Sequence, residues 1–264
     1  MHIIVTIIVI ILAIIFITFI LYILFSMFGT LFFIGYVFKK SVEKKTPDFL
    51  RAEKLEMEKK VNSLKTSIVD WNKYSINDIT NDLEYSYKKW ITNKLTGHIL
   101  ALDGNRVIAF QRLQRGIRLN CRILASSTEF KYFYEISPEE IIIEYNDQYF
   151  GKIIHLKDIF DSSNNRIGTL NRDNPNSKYV IDFDSENSLE INKSYDNKRF
   201  VKNVFYESPH STYRYKRNML EYREPYQEYS LMNNNENLNA EEQKWAIAIG
   251  IYESVFYSFD FTFA

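Results

Sequence analysis

Cysteine is nearly missing: Cys121 stands alone in 264 residues, which excludes an internal disulfide framework and any multi-cysteine metal site. A cytosolic domain fits that scarcity. Net charge is missing too, with 33 basic and 33 acidic residues, so bulk nucleic-acid binding, which needs a positive footprint, is disfavoured. The histidines His2, His98, His155 and His210 are isolated, and none has a second histidine at metal-ligand spacing. No phosphate-cradling glycine loop, paired zinc-binding histidine motif or serine nucleophile elbow is written in the chain. Catalytic, cofactor-binding and metal residues are therefore assigned to none.

Charge of either sign is absent before Lys39, and residues 3–38 (IIVTIIVIILAIIFITFILYILFSMFGTLFFIGYVF) form one apolar run. About 20 apolar helical residues cross a hydrocarbon core, so residues 1–38 are read as a transmembrane anchor, one tilted span in preference to a short hairpin. A basic start is missing and the apolar run is long, which argues against a cleaved signal peptide. Lys39, Lys40, Lys44 and Lys45 follow directly, and the positive-inside rule then places the remainder in the cytoplasm. The expectation is a single-pass membrane protein whose lipid contact begins with this anchor, followed by one domain of roughly 170 residues.

Thr46, Pro47 and Asp48 open a helix: a cap, a proline where its missing N–H costs nothing, and an acid at the positive end. Leu50, Met57, Val61, Leu64, Ile68 and Trp71 then recur at sevens, fours and threes, interrupted by Lys54. Two readings stand: a coiled-coil neck that self-associates through residues 50–71, or an amphipathic helix laid on the domain. The spacing of Ile76, Ile79, Leu83, Tyr87, Trp90 and Leu95 predicts a second helix ending at Gly97, giving a helical neck over 39–97.

From His98 the period becomes 2, and residues 98–264 read as an antiparallel β domain built from hairpins. Asp103-Gly104 and Asn146-Asp147 are tight-turn dipeptides, and Cys121 and Ile123 alternate with Asn120 and Arg122. Residues 218–239 show no period and are left as a connection. Asn239 and Glu242 then make a capping arrangement before Trp245 to Ala264, a stretch apolar on nearly every side. Such a helix belongs in a protein core or in a bilayer. Glu253 and Asp260 favour the core.

This pattern resembles the tubby C-terminal-like superfamily, which includes phospholipid scramblase-like and LURP-one-like proteins. The resemblance covers about residues 96–264. It is carried by Tyr149-Phe150-Gly151-Lys152-Ile153, by Ile159-Phe160-Asp161 through Asn165-Arg166-Ile167-Gly168-Thr169-Leu170, and by the closing apolar helix. It implies a mainly β fold in which a β-barrel-like domain wraps the C-terminal helix. Scramblase-like members carry their membrane helix near the C-terminus and cysteine-rich acylation sites, whereas here the anchor is N-terminal and Cys121 is single. No functional residue is carried over.

The remaining chemistry is electrostatic. Arg112, Arg118 and Arg122, with Arg115 in the turn, and separately Arg214, Lys216 and Arg217, are the candidates for contact with anionic lipid headgroups. The alternative is a solvated face balanced by acids. Asp182, Asp184, Glu186 and Glu190 have the odd spacing of a calcium loop, but Asn187 and Lys193 occupy its turn and bidentate positions, so an acidic hairpin is expected. Cys121, pointing inward, should be inert. The functional expectation is a membrane-anchored, non-enzymatic β domain that contacts lipid headgroups or a protein partner. The alternatives are a scaffold that self-associates through the neck and, third, a hydrolase or transferase assembled from distant residues.

Overall fold

The computed structural model describes residues 2–43, 46–88, 92–115, 120–171, 178–185, 187–192, 204–206, 215–217, 232–233 and 238–257. The chain divides into two compact units, Met1–Leu55 and Glu56–Ala264. In the first, α1 (His2–Glu43) is one continuous helix. It runs unbroken through Gly29, Thr30 and Gly35, so the hairpin alternative is not adopted. Ile15–Tyr36 is long and apolar enough to cross a membrane by length and composition. Its large side chains face outward on all sides, Phe25 at 83% and Phe32 at 80% exposure. Thr30 Oγ1 donates to the Ser26 carbonyl at 2.7 Å, which satisfies a hydroxyl inside the helix itself.

The helix α2 (Pro47–Lys65) follows, and its part within the second unit lies on the sheet. Met57 and Val61, with Leu64 and Ile68 partly buried beside them, pack against Ala109, Leu113, Leu124 and Phe133. The heptad-like seam is thus spent within the chain, which is the laid-on-domain arrangement. The predicted second helix is a correction. Single 3-10 turns at Trp71–Lys73 and Ile76–Asp78 lead into β1 (Ile79–Lys88) and β2 (Thr92–Ala101). Leu83 and Tyr85 alternate with Glu84 and Ser86, so a period of 2 holds from Leu83, after an irregularity in the pairing between Ile79 and Leu83. Gly97, read as a helix stop, lies mid-strand, where a Cβ would come within 2.7 Å of Tyr85 Cα.

The sheet continues through β3 (Arg106–Arg115), β4 (Asn120–Ser126), β5 (Lys131–Ile136), β6 (Glu140–Tyr145) and β7 (Gln148–Ile154). Then come β8 (Asp158–Asp161), β9 (Arg166–Asn171), β10 (Lys178–Phe183), β11 (Ser188–Asn192), β12 (Val204–Tyr206), β13 (Tyr215–Arg217) and β14 (Met232–Asn233). From β1 to β11 each strand pairs antiparallel with the next, an uninterrupted meander. Asn146 and Asp147 act as expected, with φ 47° and 64°, the two positive angles a two-residue hairpin needs, whereas of Asp103-Gly104 only Gly104 is at positive φ, +79°, within the longer loop 102–105.

The closed barrel is a second correction. The order of the fourteen described strands is β13-β12-β1 through β11-β14, and its two ends do not pair among the described residues. At one end β12 pairs in parallel with β1 at Tyr87 and Tyr206, and at the other β14 pairs with β11 at Met232 and Asn233. The sheet is mainly antiparallel and open.

It is nevertheless curled around a helix. The helix α3 (Ala240–Tyr252) continues as a π-helical turn over Glu253–Tyr257, and residues 258–264 of the predicted helix lie outside the described residues. Trp245, Ala246, Ala248, Ile249, Ile251, Tyr252 and Val255 are all fully buried, in one cluster with residues from every strand of β1 to β11. Each large side chain so buried contributes about 1.5–3 kcal/mol. Asn239 caps the helix, accepting from the Glu241 and Glu242 N–H groups, while Glu242 accepts from the Asn239 N–H at 2.8 Å.

Candidate functional site

The candidate basic residues part company. Arg112 is buried at 3% exposure on the core side of β3, opposite Leu95 and Ile123 in register. Its Nη1 donates to the Val255 and Phe256 carbonyls, both at 2.9 Å, and Nη2 donates to Gln114 Oε1 at 2.8 Å. The guanidinium also lies 4.6 Å from the centre of the Phe256 ring. A cation at the negative end of a helix is well placed, and hydrogen bonds from a charged donor are the stronger kind. Arg112 is therefore no part of a headgroup face, because the terminal carbonyls of the core helix occupy it.

Arg112 completes a set of donors along α3. Tyr132 and Tyr134, two apart on β5, donate their hydroxyls to the Lys244 and Ala248 carbonyls, each at 2.8 Å. Burial pushes both phenols well above the usual tyrosine range, so both remain donors. At the helix start Glu242 accepts from the Ser185 hydroxyl and from Asn187 Nδ2. Burial alone would raise its carboxyl, but those bonds and the Asn239 N–H outweigh burial and hold it below the usual range. The acidic hairpin thus has a use: Asp182 and Glu190 stand on paired strands, and the turn between them grips the helix cap.

Arg122 stays on the opposite face of the sheet, opposite Glu135, with Nε 3.1 Å from the carboxylate. It is a matched pair. Arg118 and Arg214 lie outside the described residues. Lys216 sits on β13 opposite Phe205. Register also shows what sequence reading passed over: Lys88 stands directly opposite Lys94, and Arg115 begins the next hairpin beside Thr92. Alternation in β1 and β2 carried that signal, hidden by the helical reading of the segment.

Two other groups have catalytic chemistry by type. His98 is buried, with Nε2 at 3.1 Å from Ser67 Oγ and 3.3 Å from the Leu64 carbonyl. A carbonyl only accepts, and Ser67 Oγ itself donates to the Leu64 carbonyl at 2.8 Å, so Nε2 carries the proton. That is opposite to a general base activating a serine. Burial lowers the His98 pKa, and the Leu64 carbonyl opposes the shift in part. Cys121 is buried, and burial pushes its thiol up against the pull of nearby Arg112, as for an unreactive thiol. Among the described residues no group of three or more His, Cys, Asp or Glu could hold a metal.

Comparison with protein-family models, curated proteins and solved structures finds no match. The functional reading therefore rests on the chain's own residues.

Proposed function

We propose that the chain is a single-pass membrane protein whose β domain acts at the bilayer surface, without catalysis, by contact with lipid headgroups or a protein partner. The observation that carries the reading is α1, whose residues Ile15–Tyr36 turn apolar side chains outward all round, a surface suited to hydrocarbon. The domain's own helix fills the middle of the curled sheet, which supports action through outer surfaces in preference to an internal ligand. The likeness to the tubby-like superfamily belongs to the same reading and is supported by a meander wrapped around a C-terminal helix. Self-association through residues 50–71 is the weaker partner, because it would have to compete with the sheet for Met57 and Val61.

The lysines at 39, 40, 44 and 45 support a cytoplasmic domain. External protease added to intact cells or sealed right-side-out vesicles should leave the domain whole and degrade it only after the membrane is opened. Digestion from outside would sink that orientation.

A further inference from the structure

Between Ile15 and Gly35 the hydroxyl-bearing side chains of α1 are Thr18, Tyr22, Ser26 and Thr30, each four residues from the last. At about 100° per residue they share roughly one third of the helix circumference, and Gly29 lies in the same arc. The side chains across from the row are Leu24, Phe28 and Leu31, which carry no hydroxyl. Phe19 and Phe33 also fall within the arc, so the row is a seam of hydroxyls in an apolar surface and not a water-facing side.

These hydroxyls differ in what they can reach. Thr30 Oγ1 donates to the Ser26 carbonyl at 2.7 Å, the usual way a short hydroxyl is satisfied within a helix. The Tyr22 hydroxyl, at the far end of a rigid ring, cannot turn back on its own helix in that way. It is 73% exposed and makes no hydrogen bond among the described residues. Depth makes this matter. Tyrosines of membrane helices collect at the interfaces, where Tyr36 closes the candidate span. Tyr22 stands about 10 Å along the axis from Ile15 and about 21 Å from Tyr36. A phenol O–H at that depth is costly until it finds an acceptor, and helix carbonyls are already spent within the helix.

We infer that this seam is the surface through which α1 pairs with α1 of a second copy of the chain. The inference rests on the membrane reading above and names its partner. Two copies cross in the same direction, so equal depths face one another. A hydroxyl both donates and accepts, which makes the row complementary to itself, and Tyr22 then meets the Tyr22 or Ser26 hydroxyl of the second copy. Gly29 keeps the seam open to close approach, with nothing among the described residues within 4 Å of where a Cβ would stand. The four-residue spacing follows the right-handed crossing of about −40° that such rows favour in membranes.

The test uses the full chain in phosphatidylcholine liposomes, with one cysteine introduced into α1 and oxidised to a disulfide between copies. Ser26→Cys should give linked dimers, and Leu24→Cys, on the far side of the helix, several-fold fewer. Cys121 is buried, and the unsubstituted chain sets the background. Adding Tyr22→Phe to Ser26→Cys removes a single hydroxyl and keeps the ring. It should raise the chain-to-lipid ratio needed for half-linking by about three- to thirtyfold. Equal linking from positions 24 and 26, an unchanged ratio with Tyr22→Phe, or a chain that stays monomeric at every ratio would overturn the inference. Flotation of the liposomes separates the two levels of the account. A chain that floats without pairing overturns this inference alone, whereas a chain that does not float overturns the membrane reading and the inference with it.

Discussion

The two apolar helices at the ends of the described chain, α1 and α3, meet opposite fates. Both are rich in isoleucine, and neither has a polar face. Yet Phe25 of α1 is 83% exposed while Ile249 of α3 is fully buried. What separates them is how their surroundings meet the backbone. The charge-free run of α1 exceeds what a bilayer needs, and its one described polar contact of the Thr30 hydroxyl is internal. The sheet answers the described ends of α3 and its π-helical turn with Ser185 and Asn187 on Glu242 at one end and Arg112 at the other. Apolarity alone does not bury a helix in protein. Polar groups placed to meet its backbone mark the one that is buried.

The largest effect should come from emptying the sheet of its helix. Trp245 is fully buried and stacks on Phe150 with ring centres 4.6 Å apart, and a Cβ on Gly151 would meet its ring at 2.7 Å. Trp245→Ala should cost roughly 3–5 kcal/mol, read from denaturant melts of the full chain in detergent. An unchanged midpoint would mean that α3 is not core. Next comes the helix end: Arg112→Met keeps much of the volume but removes the charged bonds to the Val255 and Phe256 carbonyls, and should cost about 3 kcal/mol. A headgroup residue on the surface would instead leave stability unmoved.

Legibility followed burial on one face or two. Strands covered on a single side, such as β10 with Ile181 and Phe183 inward and Asp182 exposed between them, could be read from alternation, as could the Asn146-Asp147 hairpin and the Asn239–Glu242 cap. β3 could not be read so, because α2 covers its outer face: Val107 through Leu113 are all buried, and nothing in the sequence said that Arg112 turned inward. In β1 and β2, a chance spacing of threes and fours imitated a helix, and Gly97 imitated its stop. The row of Lys88 and Lys94 was lost with that misreading, since only pairing brings residues six apart face to face.

A smaller effect should follow pH. His98 beneath the end of α2 has a pKa lowered by burial, so the unfolded chain takes up the proton more readily. Its contribution to stability is fully present above the ordinary histidine value of about 6.5, and falls away as pH drops through that value towards the lower folded one. Melts of the full chain should weaken across that window, and His98→Gln should flatten the slope. The smallest effect has the opposite sign. Lys94→Glu turns a like-charged pair into an opposite one and should raise stability by about 0.2–1 kcal/mol. Destabilisation would show that Lys94 is held by the fold itself.

The contrast between the two helices is tested most directly by alkaline carbonate extraction of membranes carrying either the full chain or a version lacking residues 1–38. The full chain should stay in the membrane pellet, and the shortened chain, α3 included, should be released to the supernatant. Release of the full chain would deny that α1 is an anchor. Retention of the shortened chain would place its remaining apolar helix in lipid, contradicting the assignment of α3 to the core.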